Sequence, residues 1–521
     1  MFSRRALLLT LPCGALRAES TAAARWWSHV EYLADDKLEG RDTGSEGHKQ
    51  AARYVAQEFE RAGLRPGGVN GYFQPVGFRS HTLDEPASSL QLRFSDRTEN
   101  LTLGQDAYFG LRGNIVPEID AELVFAGYAF AVPEHHYDEL AGLDLKGKVV
   151  VYLTGGPKNI PASLISHYQS AEQRWRRLKE AGAVGVAILS NPKATDIPFE
   201  RSRTARFIPA MKLKGFEPDG PGCTITINPA RAHLWLDDTG HTFEEIAALA
   251  AEHKPLPKFP LKPRLLARVA LNATELEADN IIGLKEGSHP QLKNQVLVLS
   301  AHVDHIGTSR SLSGDRIYNG AMDNASGIAT LIEIAKSLKG KKLKRTVLFL
   351  ANTGEEKGLL GSQYFVQSPT VARESIVADL NFDMFLPLFP LERIIMYGLD
   401  ESSLGDSVKR VAAKMSIEVI RDPEPQRNSF IRSDQYSFIR RGIPAASFKL
   451  GYKPGSPEER IFKAWLKDRY HSVSDDLLQP VDKEGAVGFN KLMAAITVDV
   501  ANSAHRPAWK ESSFFRRFAR P

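Results

Sequence analysis

Along most of the chain, apolar residues fall into short runs separated by polar turns, and the spacing inside those runs changes from region to region. Ala51, Ala52, Val55, Ala56 and Phe59 recur at helical intervals and predict a helix with one buried stripe, ended by Gly63 and Pro66. From about Leu101 to Leu266 the texture becomes β-like, with runs at 122–130, 149–153, 224–227 and 233–236. One helix over 171–181 leads there into the apolar run 184–189. Pro255, Pro257, Pro260 and Pro263 read as a stiff linker closing this strand-rich module. From about residue 280, near-continuous apolar strands at 296–300, 346–352, 376–382, 394–397 and 445–450 alternate with helical patterns such as 328–338. A helix over 481–501 closes the series. Strands without polar alternation are buried on both faces, so the expected fold class is α/β, with a mostly parallel central sheet flanked by helices and an inserted strand-rich domain.

At roughly 150 residues per domain, 521 residues carry about three domains' worth of chain. Hydrophobic residues make up 42% and charged residues 25%, values that fit a globular chain and neither disorder nor a fibrous repeat. The 67 basic and 62 acidic residues leave +5, spread through the sequence, which gives no basic surface for nucleic acid. At the N-terminus, Arg4-Arg5, the apolar run 6–16 and the small residues around Ala18 follow the order of an export signal, expected over 1–18. Ser3-Arg4-Arg5-Ala6-Leu7-Leu8 is similar to a twin-arginine signal. That run is too short to anchor in a bilayer, which takes about 20 residues, so no stable membrane insertion is expected. The protein is expected to be exported, to the periplasm or the extracellular space. Cys13 and Cys223 are the only cysteines, so a bound metal must be held by histidines and carboxylates.

In an α/β sheet, reactive groups gather beyond the carboxyl ends of the strands. The 296–300 strand runs into Ala301-His302-Val303-Asp304-His305, where Asp304, two positions on, can hold the ring of His302 in one tautomer. His305 reads as a neighbour. Asn319-Gly320-Ala321-Met322-Asp323-Asn324-Ala325-Ser326-Gly327 precedes the next helix, where Asp323 reads either as a cap or as a carboxylate shared by two cations. The next strand ends in Gly354-Glu355-Glu356-Lys357-Gly358; with one glutamate on a metal, the other is free to take a proton from water. Asp383 follows the 376–382 strand inside an apolar run and needs a cation or close hydrogen bonds. Tyr470-His471 adds a late histidine. Two histidines and several carboxylates at successive strand ends match the nitrogen and oxygen donors that zinc accepts.

On these marks, with Tyr318-Asn319-Gly320-Ala321 and Gly358-Leu359-Leu360-Gly361-Ser362, residues 280–505 and 25–80 resemble the co-catalytic zinc aminopeptidases. That family's relatives include bacterial secreted leucyl aminopeptidases and glutamate carboxypeptidases. The 101–266 insert is similar to a protease-associated domain. The resemblance implies a discontinuous catalytic domain over 19–100 and 267–505, a tail over 506–521, peptide substrates and two zinc ions per chain. His302, Asp323 and Asp383 would hold one ion; Asp323, Glu356 and His471 would hold the other. Glu355 would be the general base, Asp304 would orient His302, and Tyr470 could donate to the oxyanion. Carboxypeptidase or dipeptidase action on the same frame, a glutaminyl cyclase type of acyl transfer, and a silent receptor-like relative are the alternatives. Met322 stands where many relatives carry an acidic residue, and Gln435 in Ser433-Asp434-Gln435 stands where relatives often carry histidine.

Overall fold

The computed structural model describes residues 20–157, 159–191, 197–216, 219–309 and 312–519. The expected export segment, 1–18, lies outside the described residues. Beyond it, Trp26 and Trp27 sit in the helix Thr21–Leu33, capped by the Ser20 hydroxyl, with Trp26 fully buried.

The larger sheet takes its strands in the spatial order Ala210–Leu213, Phe73–Leu83, Leu271–Lys285, Thr346–Asn352, Val296–His302, Ile376–Asn381, Ala445–Leu450, Arg393–Tyr397, Glu418–Ile420. The four strands from Thr346–Asn352 to Ala445–Leu450 run parallel. On one flank, Leu271–Lys285, Phe73–Leu83 and Ala210–Leu213 are each antiparallel to their inner neighbour; on the other, Arg393–Tyr397 is antiparallel to Ala445–Leu450. The sheet is therefore mixed, with a parallel centre, rather than mostly parallel throughout. Within the centre, alternate residues face opposite cores. Leu297, Leu299 and Ala301 join the cluster under the helices Thr21–Leu33, Ser326–Ser337 and Lys483–Asn502, while Val296 and Val298 join Phe365 and Phe438 on the other face. Burial on both faces explains why these strands read as unbroken apolar runs.

A second, eight-stranded sheet is built from the stretch of chain that separates, in sequence, the paired strands Phe73–Leu83 and Leu271–Lys285. It has apolar clusters on both faces, around Phe125, Val151 and Trp235 on one and Val150, Tyr152 and Trp175 on the other. Its strands begin at Ser89, ahead of the expected boundary at 101, because Ser89–Arg93 and Thr98–Leu101 pair into it. Only the second half of the proline-rich segment is a strand: Pro260 and Pro263 lie in it, while Pro255 and Pro257 precede it in irregular chain. Lys258–Arg268 pairs with Glu118–Ala126, and the register shifts between Pro260 and Arg264, so the missing N–H of Pro263 falls at a bulge. Residues 233–236 form one helical turn rather than a strand. Ala210–Leu213 leaves the insert to pair with Phe78–His81 at the edge of the larger sheet, stitching the two units together.

Candidate metal centre

Every sequence-predicted ligand lies beyond the carboxyl ends of the parallel strands. His302 ends its strand; Glu355 and Glu356 follow Thr346–Asn352; Asp383 follows Ile376–Asn381; Asp323 sits in an irregular turn, Ala321–Ala325, that opens the helix Ser326–Ser337. His471 lies in a distant loop, with φ +53°.

These side chains converge on two groups that share Asp323. His302 Nε2 lies 3.2 Å from Asp323 Oδ1 and 3.4 Å from Asp383 Oδ1. His471 Nε2 lies 3.3 Å from Asp323 Oδ2 and 3.2 Å from Glu356 Oε2. Donors at about 2.0 to 2.1 Å around a tetrahedral zinc stand about 3.3 Å from one another, which is the spacing in both groups. His302 Nε2 and Asp383 Oδ1 are both buried and take no hydrogen-bond partner among the described residues, so their closeness reflects convergence on a common point rather than a hydrogen bond. The residues present therefore fit a divalent cation at each group.

His305, expected to be a neighbour, does more. Its Nδ1 lies 2.7 Å from Glu356 Oε1, so it holds one oxygen of that carboxylate while the other faces His471. It also forms a third donor set with Asp323 and Glu356, but its ring nitrogen is 4.0 Å from Asp323 Oδ2, farther than His471.

Asp304 differs from expectation in the atom that acts. The His302 ring nitrogen Nδ1 is 3.1 Å from the Asp304 backbone carbonyl, while the Asp304 carboxylate stays 3.9 Å away. That carboxylate instead accepts from the Thr43 hydroxyl at 2.9 Å and from the backbone N–H groups of Glu355 and Glu356 at 3.1 and 3.3 Å. One residue thus sets the His302 ring through its main chain and the turn of both glutamates through its side chain.

Two further supports act on the Asp323 turn. The Asp475 carboxylate, fully buried, accepts from the backbone N–H groups of Met322 and Asp323, both at 2.9 Å. Arg41, also buried, spends its guanidinium on main-chain carbonyls, including Val303 at 2.9 Å, Gly320 at 2.8 Å and Asp323 at 3.3 Å. Neither role follows from spacing along the chain, since both residues act on backbone atoms.

The charges are unbalanced without a cation. Burial works against a protonated His471, yet Glu356 and Asp323 outweigh it and push the ring up to about 10. His302 is likewise held well above its ordinary value, since Glu355, Asp323 and Asp383 overcome its burial. Burial raises the Glu355 carboxyl well above the usual range, and Asp383 and Glu356 add to the shift. Glu355 stands where a proton is easily held, and it lines a cleft of about 590 Å³ together with Tyr470, His471, and Tyr108, Arg112 and Trp175 of the insert. Tyr470 packs its ring 4.1 Å from that of His471.

Residues 280–497 match the model of Peptidase family M28. That stretch contains all of His302, Asp323, Glu355, Glu356, Asp383 and His471. A probable leucine aminopeptidase 2 of Aspergillus fumigatus is 28% identical over 237 residues, 43% of this chain and 44% of the relative. A Bacillus subtilis aminopeptidase is 26% identical over 242 residues, 45% of this chain and 47% of the relative. The chain thus spans less than half the length of these curated relatives. Over nearly its whole length it shares the fold of an aminopeptidase from Aneurinibacillus sp. strain AM-1, with a TM-score of 0.54, 20% identity, and coverage of 93% of this chain and 95% of that one.

Proposed function

We propose that the chain is a zinc-dependent aminopeptidase with two ions per chain. One ion is held by His302, Asp323 and Asp383, and the second by Asp323, Glu356 and His471. The observation that carries the reading is Asp323, whose two carboxylate oxygens face two separate donor sets at 3.2 and 3.3 Å. The match to Peptidase family M28 over the ligand-bearing residues and the names of the curated aminopeptidases support it. Nitrogen and oxygen donors without thiolates suit zinc.

When bound, such ions polarise a peptide carbonyl and lower the pKa of a water toward 7. Glu355, in the cleft beside the ligands, takes the proton of that water on its carboxylate and returns it to the leaving amine. Asp304 fixes the backbone of Glu355 and, through its carbonyl, the ring of His302. Tyr470, which lines the cleft beside Glu355 and His471, would donate its hydroxyl to the developing oxyanion.

The insert is assigned as a protease-associated domain that walls one side of the substrate cleft, and the catalytic domain as discontinuous, on both sides of it. Export ahead of action on peptides completes the reading; no described helix is long and apolar enough to cross a membrane.

The test joins elemental analysis to a substrate panel. Two zinc ions per chain and cleavage of aminoacyl anilides, with N-blocked and C-terminal peptide substrates inert, are expected. Equal cleavage of N-blocked substrates would refute the aminopeptidase assignment and favour a carboxypeptidase or endopeptidase action.

A further inference from the structure

A smaller cavity, about 80 Å³, opens from the candidate ion site between Asp383, Glu355 and Tyr470 and runs toward Ile395, Phe462 and Tyr452. Its position beside the reacting groups makes it the place for the side chain of the residue released, a statement that rests on the aminopeptidase reading above. Its walls are not those of a leucine pocket. Lys449 reaches into it from the strand Ala445–Leu450, half-buried, with its ammonium 3.0 Å from the carbonyl of Met384 and 3.4 Å from that of Asp383. Those contacts use two of its three N–H groups. No carboxylate pairs with it among the described residues.

The other charges at the cavity are better matched. Glu424 lies 3.2 Å from Arg427 and 3.4 Å from Lys463, so it has two cations of its own. Asp422 takes the backbone N–H of Glu424 at 2.8 Å. Arg432 lines both the cavity and the larger cleft. Of the lining carboxylates left once those assigned to the ions are set apart, neither Glu355 nor Asp422 pairs with Lys449, whose third N–H is the donor left over at the cavity. An aliphatic side chain entering there would strip water from the Lys449 ammonium and return nothing, whereas a carboxylate would restore its third hydrogen bond and neutralise it.

We infer that this cavity selects an acidic first residue, glutamate or aspartate, and that Lys449 is the residue that reads its carboxylate. The cavity also has apolar wall on the side of Ile395, Met384 and Phe462, which suits the methylenes that carry such a carboxylate.

The experiment uses the zinc-loaded full chain and free-amine 4-nitroanilides of glutamate, aspartate, glutamine, leucine and lysine. The expected kcat/KM for the glutamyl substrate exceeds that for the isosteric glutaminyl and for the leucyl substrate by about tenfold or more. In Lys449→Met the glutamyl-to-glutaminyl ratio falls on the order of ten- to a hundredfold, and in Lys449→Arg most of the ratio survives. A preference for leucine or lysine in the wild type overturns the inference, as does an equal loss on every substrate in Lys449→Met, which would make Lys449 only a clamp on the Asp383 and Met384 carbonyls. Should Lys449→Met melt below the assay temperature, the wild-type panel and Lys449→Arg still decide. Failure of the parent reading has a different signature: no free-amine anilide is cleaved while N-blocked peptides are, and the inference falls with it.

Discussion

The Asp475 carboxylate accepts the backbone N–H of Asp323 at 2.9 Å, so the carboxylate that faces both donor groups is held in place by another carboxylate four residues past His471. Asp475 also takes the N–H of Met322 and the side-chain amide of Gln479. Truncation in Asp475→Ala leaves two buried N–H groups without acceptors, at about 1–3 kcal/mol each. The expected result is a melting temperature lower by several degrees and a zinc affinity weaker by about ten- to a hundredfold, since ligand supports of this kind act at that scale. Calorimetric melting and competition with a chelator check both; an unchanged zinc affinity would mean that the Asp323 turn holds itself.

Glu355→Gln keeps the shape of the turn and the N–H that Asp304 accepts at 3.1 Å, but removes the proton acceptor. Turnover should fall by about 10² to 10⁴ with zinc content retained. Loss of zinc together with activity would instead make Glu355 a ligand and return the base role to another residue.

Much of this centre is legible along the chain for a physical reason. His302, Glu355, Glu356 and Asp383 each follow an apolar run that becomes a strand buried on both faces, so their exit points are marked by the end of hydrophobicity. What escapes is what acts through the main chain or across the fold. Arg41 and the Asp304 carbonyl meet backbone atoms and carbonyl or ring partners hundreds of positions away or off the expected atom, and no pattern of side chains records that. The flanking strands Phe73–Leu83 and Leu271–Lys285 also escape: burial alternates along the first, but polar Gln74 and Ser80 hold two of its buried positions, and the second is mostly exposed over 272–277. The proline-rich strand Lys258–Arg268 hides for the opposite reason, since proline reads as a breaker and the bulge that accommodates it is set by its partner Glu118–Ala126.

The protonation of His471 predicts how zinc binding depends on pH. In the ion-free chain Glu356 and Asp323 hold the ring up to about 10, against about 6.5 unfolded, so its contribution to ion-free stability is complete below about 6.5 and is lost as pH rises through 10. Zinc needs the neutral ring, so binding near neutral pH must displace that proton, and His302, also held high, adds a second. Zinc affinity of the stripped chain should therefore rise between pH 7 and 9, by up to about tenfold per pH unit for each proton displaced. Titration calorimetry in buffers of different ionisation enthalpy counts those protons. Replacement in His471→Ala should lower both the slope and the stoichiometry toward one ion, whereas His305→Ala should keep the stoichiometry and weaken binding, because His305 holds a carboxylate oxygen of Glu356 and leaves the other for the ion.

Arg112 carries the insert's most direct contact with the centre: its guanidinium donates to the backbone carbonyl of Glu356, next to Gly358, where an added Cβ would stand 3.7 Å from the same guanidinium. The insert therefore reaches the turn that presents both glutamates, in addition to walling the cleft. If that contact sets the turn, Arg112→Ala should reduce kcat by about three- to thirtyfold with the fold of both units intact, a charge-assisted hydrogen bond being about 1.5–3 kcal/mol and partly replaced by water because Arg112 is exposed. Arg112→Lys, which keeps a donor on a shorter reach, should recover part of the loss. A larger rise in KM with kcat unchanged would show that Arg112 meets substrate in the cleft and leaves the turn alone, so steady-state kinetics on the three proteins separates the two roles.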